Sequence, residues 1–146
     1  MSNKKKEEAT QLDLLLGVDE SKFTRPTAKV EMNGLTERLG AEETIKWTIQ
    51  AVDEERYEEI QENAVTIPKD GKGEPEINYD ELKRFVILDG VIDPDLRSKA
   101  LMDKFGVPTP KGVLKKMLLV GEIDRLYQEI SDLSGFGEDS VKTVKN

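Results

Sequence analysis

The chain is 146 residues long, 36% of them charged, and its formal net charge of -8 sets up a field that repels nucleic acid and anionic membrane surfaces. That length suits one domain with a modest core. Cysteine and histidine are both absent, which excludes disulfides, thiolate metal sites, cysteine nucleophiles, Ser-His-Asp triads and HExxH zinc hydrolysis, and leaves carboxylates, lysines and tyrosines as the only catalytic material.

Residues 1–25 read as a flexible arm carrying one short apolar segment. Its opening stretch, MSNKKKEEATQ, has no apolar core of the kind a secretory signal or membrane anchor needs. No later run approaches bilayer-spanning length, so a cytoplasmic protein without membrane contact is expected. Lys4, Lys5 and Lys6 are followed at once by Glu7 and Glu8 with no stacking aromatics nearby, so no nucleic-acid arm is expected. The segment LDLLLG then places Leu12, Leu14, Leu15 and Leu16 in a run too short for an independent helix, since isolated helices below about 12 residues are marginal in water. Such a segment needs something to dock on. Two readings follow: it packs on this protein's own core, or it is a partner-binding motif.

After Pro26 the apolar period becomes two. Ala28, Val30 and Met32 share one face of TAKVEMN, and Ile45, Trp47, Ile49 and Ala51 share one face of TIKWTIQA. Asn33, Gly34 and Gly40 lie between, which predicts an antiparallel hairpin with a long connection over 27–52. The inward position of Trp47 assigns it to core packing. From Asp53 the pattern is helical: Asp53 caps a helix through Ala64, Val52 and Tyr57 form a staple, and glutamates line the outer face. VTIPKDGKGEPE, 65–76, reads as an exposed loop or a short hairpin.

Asn78 caps the next predicted helix, which carries Leu82, Phe85, Val86 and Ile87 and is expected to stop at Gly90. The broad apolar face from Leu82 to Leu88 exceeds what one small core needs, and self-association would absorb it. Asp93 and Pro94 are expected to start a helix bearing Leu96, Ala100, Leu101 and Phe105 that closes at Gly106; Thr109 and Pro110 start another with Val113, Leu114, Met117 and Leu118. A last amphipathic stripe runs through Ile123, Leu126, Tyr127, Ile130 and Leu133. The predicted fold class is α+β: a small N-terminal antiparallel β-hairpin packed on a C-terminal cluster of four to five short helices, with the domain spanning 26–135.

Gly135-Phe136-Gly137 follows a helix where a dinucleotide fingerprint would open one, and a helix C-terminus repels phosphate, so Gly135 is read as a left-handed helix stop. Phe136 is then expected either to fold back on the last turn of its own helix or to be presented to a partner, ahead of a flexible acidic tail, 136–146. An EF-hand loop from Asp70 fails at Lys72 and Pro75. The glutamate pairs at 42 and 43, 54 and 55, and 58 and 59 have no organising residue around them and read as a solvated face. No catalytic, cofactor or metal residue is assigned.

FVILDGVIDPDL (85–96), the DKFGVPTP turn (103–110) and KKMLLVGEIDRLYQEISDLSGFGED (115–139), in this order and after LDLLLG and the strand that follows it, resemble the phage XkdN-like tail assembly chaperones of contractile-tailed phages and phage-derived elements of Gram-positive bacteria. The resemblance implies a non-catalytic cytoplasmic assembly factor, absent from the mature virion, that binds the tape measure protein and helps recruit tail tube protein. Two alternatives stand beside it: a structural tail or baseplate component, and a carboxylate-dependent enzyme or metal-binding protein. Related tail chaperones are often made in two lengths by a frameshift, for which VKTVKN at the end of the chain is the candidate neighbourhood. Leu12, Leu14, Leu15, Leu16 and Phe136 are the candidate partner-binding residues, read from the sequence and not carried over from the family.

Overall fold

In the computed structural model, residues 10–145 are described; the lysine cluster at Lys4 to Lys6 lies outside them. Helix α1, Gln11–Gly17, precedes a short 3-10 turn, Glu20–Phe23. Strand β1 (Thr27–Glu31), helix α2 (Asn33–Leu39), strand β2 (Lys46–Gln50) and helix α3 (Glu54–Asn63) follow. Two-residue strands β3 (Val65–Thr66) and β4 (Glu76–Ile77) pair as a small hairpin. Helix α4 (Tyr79–Gly90), strand β5 (Val91–Asp93), helices α5 (Lys99–Phe105), α6 (Pro110–Met117) and α7 (Val120–Ser131), and a π-helical turn, Asp132–Phe136, complete the described chain.

The fold is a mixed one, with seven helices and a small antiparallel sheet among the described residues. β1 and β2 pair antiparallel with Val30 opposite Trp47, and the long connection between them carries a helix. Thr36 explains how α2 is held: its hydroxyl accepts from the Ile45 N–H at 2.9 Å and donates to the Met32 carbonyl at 2.7 Å, while Leu35 is buried beneath it. Gly40, at φ 62, ends the helix in the left-handed conformation. A third strand, β5, adds to the far side of β2, giving the order β1-β2-β5.

That third strand corrects the reading of residues 90–98. Helix α4 does end at Gly90, but not through a left-handed glycine stop: Gly90 is helical and buried, and the next residue, Val91, turns into extended geometry. A Cβ at Gly90 would lie 2.7 Å from Cγ2 of Ile130, so the glycine is there to let α4 and α7 approach closely. Pro94 likewise does not open a helix. It enters a turn in which Asp95 accepts from the Arg97 N–H at 3.0 Å, Leu96 plugs the core, and α5 begins only at Lys99.

One core unites sheet and helices. Trp47 and Ile49 from β2, Leu82, Val86, Ile87 and Leu88 from α4, Leu114 from α6, and Leu126 and Ile130 from α7 are all buried in it. The apolar face from Leu82 to Leu88 is therefore absorbed by the protein's own core and does not call for self-association. Burial of this kind stabilises by about 1.5–3 kcal/mol per large apolar side chain. The helix ends follow local chemistry: Asp53 accepts from the Arg56 N–H, Asn78 from Glu81 and Thr109 from Gly112, and Gly106 adopts φ 64.

Candidate interaction surfaces

Helix α1 closes on itself through a capping box, the Thr10 hydroxyl accepting from the Asp13 N–H and the Asp13 carboxylate accepting from the Thr10 N–H, each at 3.1 Å. This local device satisfies first-turn backbone groups of a seven-residue helix that has no packed face. No residue of it is buried: Leu12, Leu14 and Leu15 are between 55% and 62% exposed, and Leu16 is 75% exposed. The docking of LDLLLG on the protein's own core is thus overturned. The leucines sit together on one short element with their side chains in solvent, where they cost free energy in proportion to the apolar area left uncovered.

The patch extends beyond the leucines. Asp19 accepts from the Ser21 N–H at 2.8 Å, which turns the chain, holds the Asp19 carboxyl below its usual range, and leaves Val18 and Phe23 exposed next to α1. Phe23 was not singled out from sequence. A lone aromatic among Ser21, Lys22, Thr24 and Arg25 was the available signal. Arg25 then ties the segment to the domain, donating to Asp53 at 3.1 Å and to Asp89 at 3.5 Å. Asp89 also accepts from Arg56 at 2.9 Å, and Arg56 reaches Glu59 at 2.7 Å. The Arg56 guanidinium is held further protonated by Glu59 and then by Asp89, and the Asp53 carboxyl is lowered first by the Arg56 backbone N–H.

Phe136 belongs to a different element. Gly135, at φ 94, turns the chain at the end of the π-helical segment, and the Phe136 ring meets Tyr57 of α3 with centroids 5.3 Å apart and planes tilted by 48°. The Phe136 ring thus packs against α3. The ring remains 60% exposed, so this contact covers only part of it. Burial raises the Tyr57 hydroxyl above its ordinary range. Among the described residues no hydrogen bond or ion pair links α1 to the Phe136 turn.

The concave surfaces are open clefts. One, about 490 Å³, runs between β1 and α7 and is lined by Lys29, Val30 and Met32 on one side and Glu122, Arg125 and Leu126 on the other. Glu122 is already committed to a bidentate pair with Arg38, at 2.7 and 2.8 Å, which lowers its carboxyl. A second cleft, about 280 Å³, lies beside Phe85 and Lys111. Among the described residues no group of three acidic side chains is placed to hold a metal ion, and no helix is long and apolar enough to cross a membrane.

Three comparisons bear on this geometry. A family model described as "Phage XkdN-like tail assembly chaperone protein, TAC" matches residues 12–146. No curated protein matches the chain. Among solved structures, the crystal structure of the protein yqbn is similar, with a TM-score of 0.60 and 16% sequence identity, covering 82% of this chain and 98% of that one. At that identity the likeness is one of fold.

Proposed function

Because this chain belongs to the phage XkdN-like tail assembly chaperone family, we propose that it is a non-catalytic assembly factor that binds the tape measure protein through the α1 leucines and helps recruit tail tube subunits. The observation that carries this reading is the exposure of Leu12, Leu14, Leu15 and Leu16 on a short helix closed by a capping box. Leu12, Leu15 and Leu16, at i, i+3 and i+4, share one face of this short helix with Leu14 on the other side, and such an apolar face fits a groove or stripe on a helical partner, the helix-in-groove mode of recognition. A tape measure protein is long and helical, and its apolar stripes need temporary cover before the tube polymerises around it.

Two further properties support the reading. The net charge of -8 keeps such a chain in solution while it displays apolar side chains. The partly uncovered Phe136 ring offers a second apolar contact on the folded body. The same reading puts the protein in the host cytoplasm and outside the mature virion.

Co-expression with the tape measure protein tests it. The tape measure should become more soluble and co-purify with this chain, and replacing the four α1 leucines with serine should abolish both effects. Unchanged solubility and no co-purification would defeat the reading, as would stoichiometric presence of this chain in purified phage particles.

A further inference from the structure

We propose that two copies of this chain pair through the outer edge of β1, in one register, to make a continuous six-stranded sheet. The ladder chemistry shows which backbone groups are available. In an antiparallel pair, residues alternate between those that exchange hydrogen bonds with the neighbouring strand and those whose N–H and C=O point the other way. The Ala51 N–H donates to the Pro26 carbonyl at 2.9 Å and the Met32 N–H to the Ile45 carbonyl at 2.8 Å, bracketing the register in which Ala28 lies opposite Ile49 and Val30 opposite Trp47. Even-numbered residues of β1 therefore face β2. The N–H and C=O groups of Thr27, Lys29 and Glu31 face outward, and among the described residues none of them has a hydrogen-bond partner and no strand pairs with that edge.

Charge selects the occupant and its register. On the outer face, Lys29 and Glu31 are both exposed and two residues apart. An antiparallel copy of the same strand, centred on Val30, sets Lys29 opposite Glu31 of the partner subunit and Glu31 opposite the partner's Lys29. Both pairs use the outward backbone groups. Shifting the centre to Lys29 or to Glu31 would set like charges opposite each other, which is unfavourable. In the centred register a row across the joined sheet reads Asp93, Thr48, Lys29, the partner's Glu31, the partner's Lys46, continuing the pairings already present within one copy.

The inner face matches as well. Ala28 and Val30 are half-buried and Met32 is buried, and Val30 and Met32 line the cleft between β1 and α7. In the centred register Val30 meets the partner's Val30 and Ala28 meets the partner's Met32, so the apolar layer runs on from one copy to the other. A twofold axis through Val30 satisfies both faces at once, as an isologous interface requires. This pairing is independent of the α1 leucines and of the identity of any tail partner.

Sedimentation velocity on the full chain over a concentration series tests the proposal. A reversible monomer–dimer equilibrium is expected. Lys29→Glu and Glu31→Lys should each weaken the dimer about tenfold, because each turns two attractive cross-strand pairs into repulsive ones. An equimolar mixture of these two variants should recover the dimer, since each introduced charge then faces its complement. Lys29→Pro removes an outward N–H without touching the β1–β2 ladder and should leave the unfolding midpoint in place while abolishing dimerisation. A chain that is monomeric throughout the series overturns the proposal. So does a dimer that ignores the charge variants, or one that disappears only when the α1 leucines are replaced.

Discussion

Tyr57 on α3 and Phe136 after α7 meet ring to ring, 5.3 Å between centroids, across 79 residues of sequence. The contact pins the end of the last helical segment to the outside of α3. An aromatic pair of this geometry contributes about 0.5–1.5 kcal/mol beyond the area it covers. Phe136→Ala should therefore lower stability modestly, and a double-mutant cycle with Tyr57→Ala in urea unfolding should return a coupling in that range; additive effects would mean the rings do not support each other.

A second tie lies close by. Ser134 accepts from the Val52 N–H at 2.8 Å and donates to the Ile130 carbonyl at 2.6 Å, joining the end of β2 to the end of α7. Ser134→Ala leaves a largely buried N–H without its acceptor, a loss of about 1–3 kcal/mol. Urea unfolding should register this, with faster amide exchange at Val52; an unchanged Val52 amide would show that another acceptor takes over.

Gly90 faces two opposed effects. Alanine is favoured over glycine by about 1 kcal/mol in a helix interior, and by less at the last residue, where Gly90 stands. Yet the added Cβ would lie 2.7 and 2.8 Å from Cγ2 and Cδ1 of Ile130, a side chain with no exposed surface, so something must shift. Overpacking of that kind costs about 1–3 kcal/mol, so the steric term outweighs propensity. Gly90→Ala should lower the thermal midpoint, whereas a rise would show that α4 and α7 separate easily.

Acid should weaken the tie between α2 and α7. Arg38 donates to both carboxylate oxygens of Glu122 and holds its carboxyl below the ordinary range. A folded-state value below the unfolded one means the pair's contribution is present above the ordinary carboxylate range and is lost as pH falls through the lowered value. Arg38→Met should flatten the acid limb of the stability–pH curve and lower stability at neutral pH. Parallel curves for the two proteins would assign the acid sensitivity to other carboxylates, Glu81 among them, whose carboxyl Lys111 lowers in the same way.

What the sequence determined by itself is the chemistry that acts within a few residues. Asp53, Asn78 and Thr109 cap their helices because a side-chain oxygen and the N–H three positions on are held close by the chain itself. Gly106 and Gly135 take left-handed turns for the same local reason, and the two-residue alternation of Trp47 and Ile49 marks a strand wherever it packs. The cluster Leu12, Leu14, Leu15 and Leu16 was legible as an apolar segment in need of cover. Only the tertiary structure decided whether it had any, because exposure depends on what the rest of the chain brings to it. The same holds for β5, which is a strand because β2 offers an edge; for Gly90, which is a glycine because Ile130 crosses there; for Phe136, whose neighbour is Tyr57; and for the edge of β1, whose outward N–H and C=O groups are set by the pairing of β2 on its other side. Each of these depends on a residue distant in sequence, and no local pattern records which one the fold will supply.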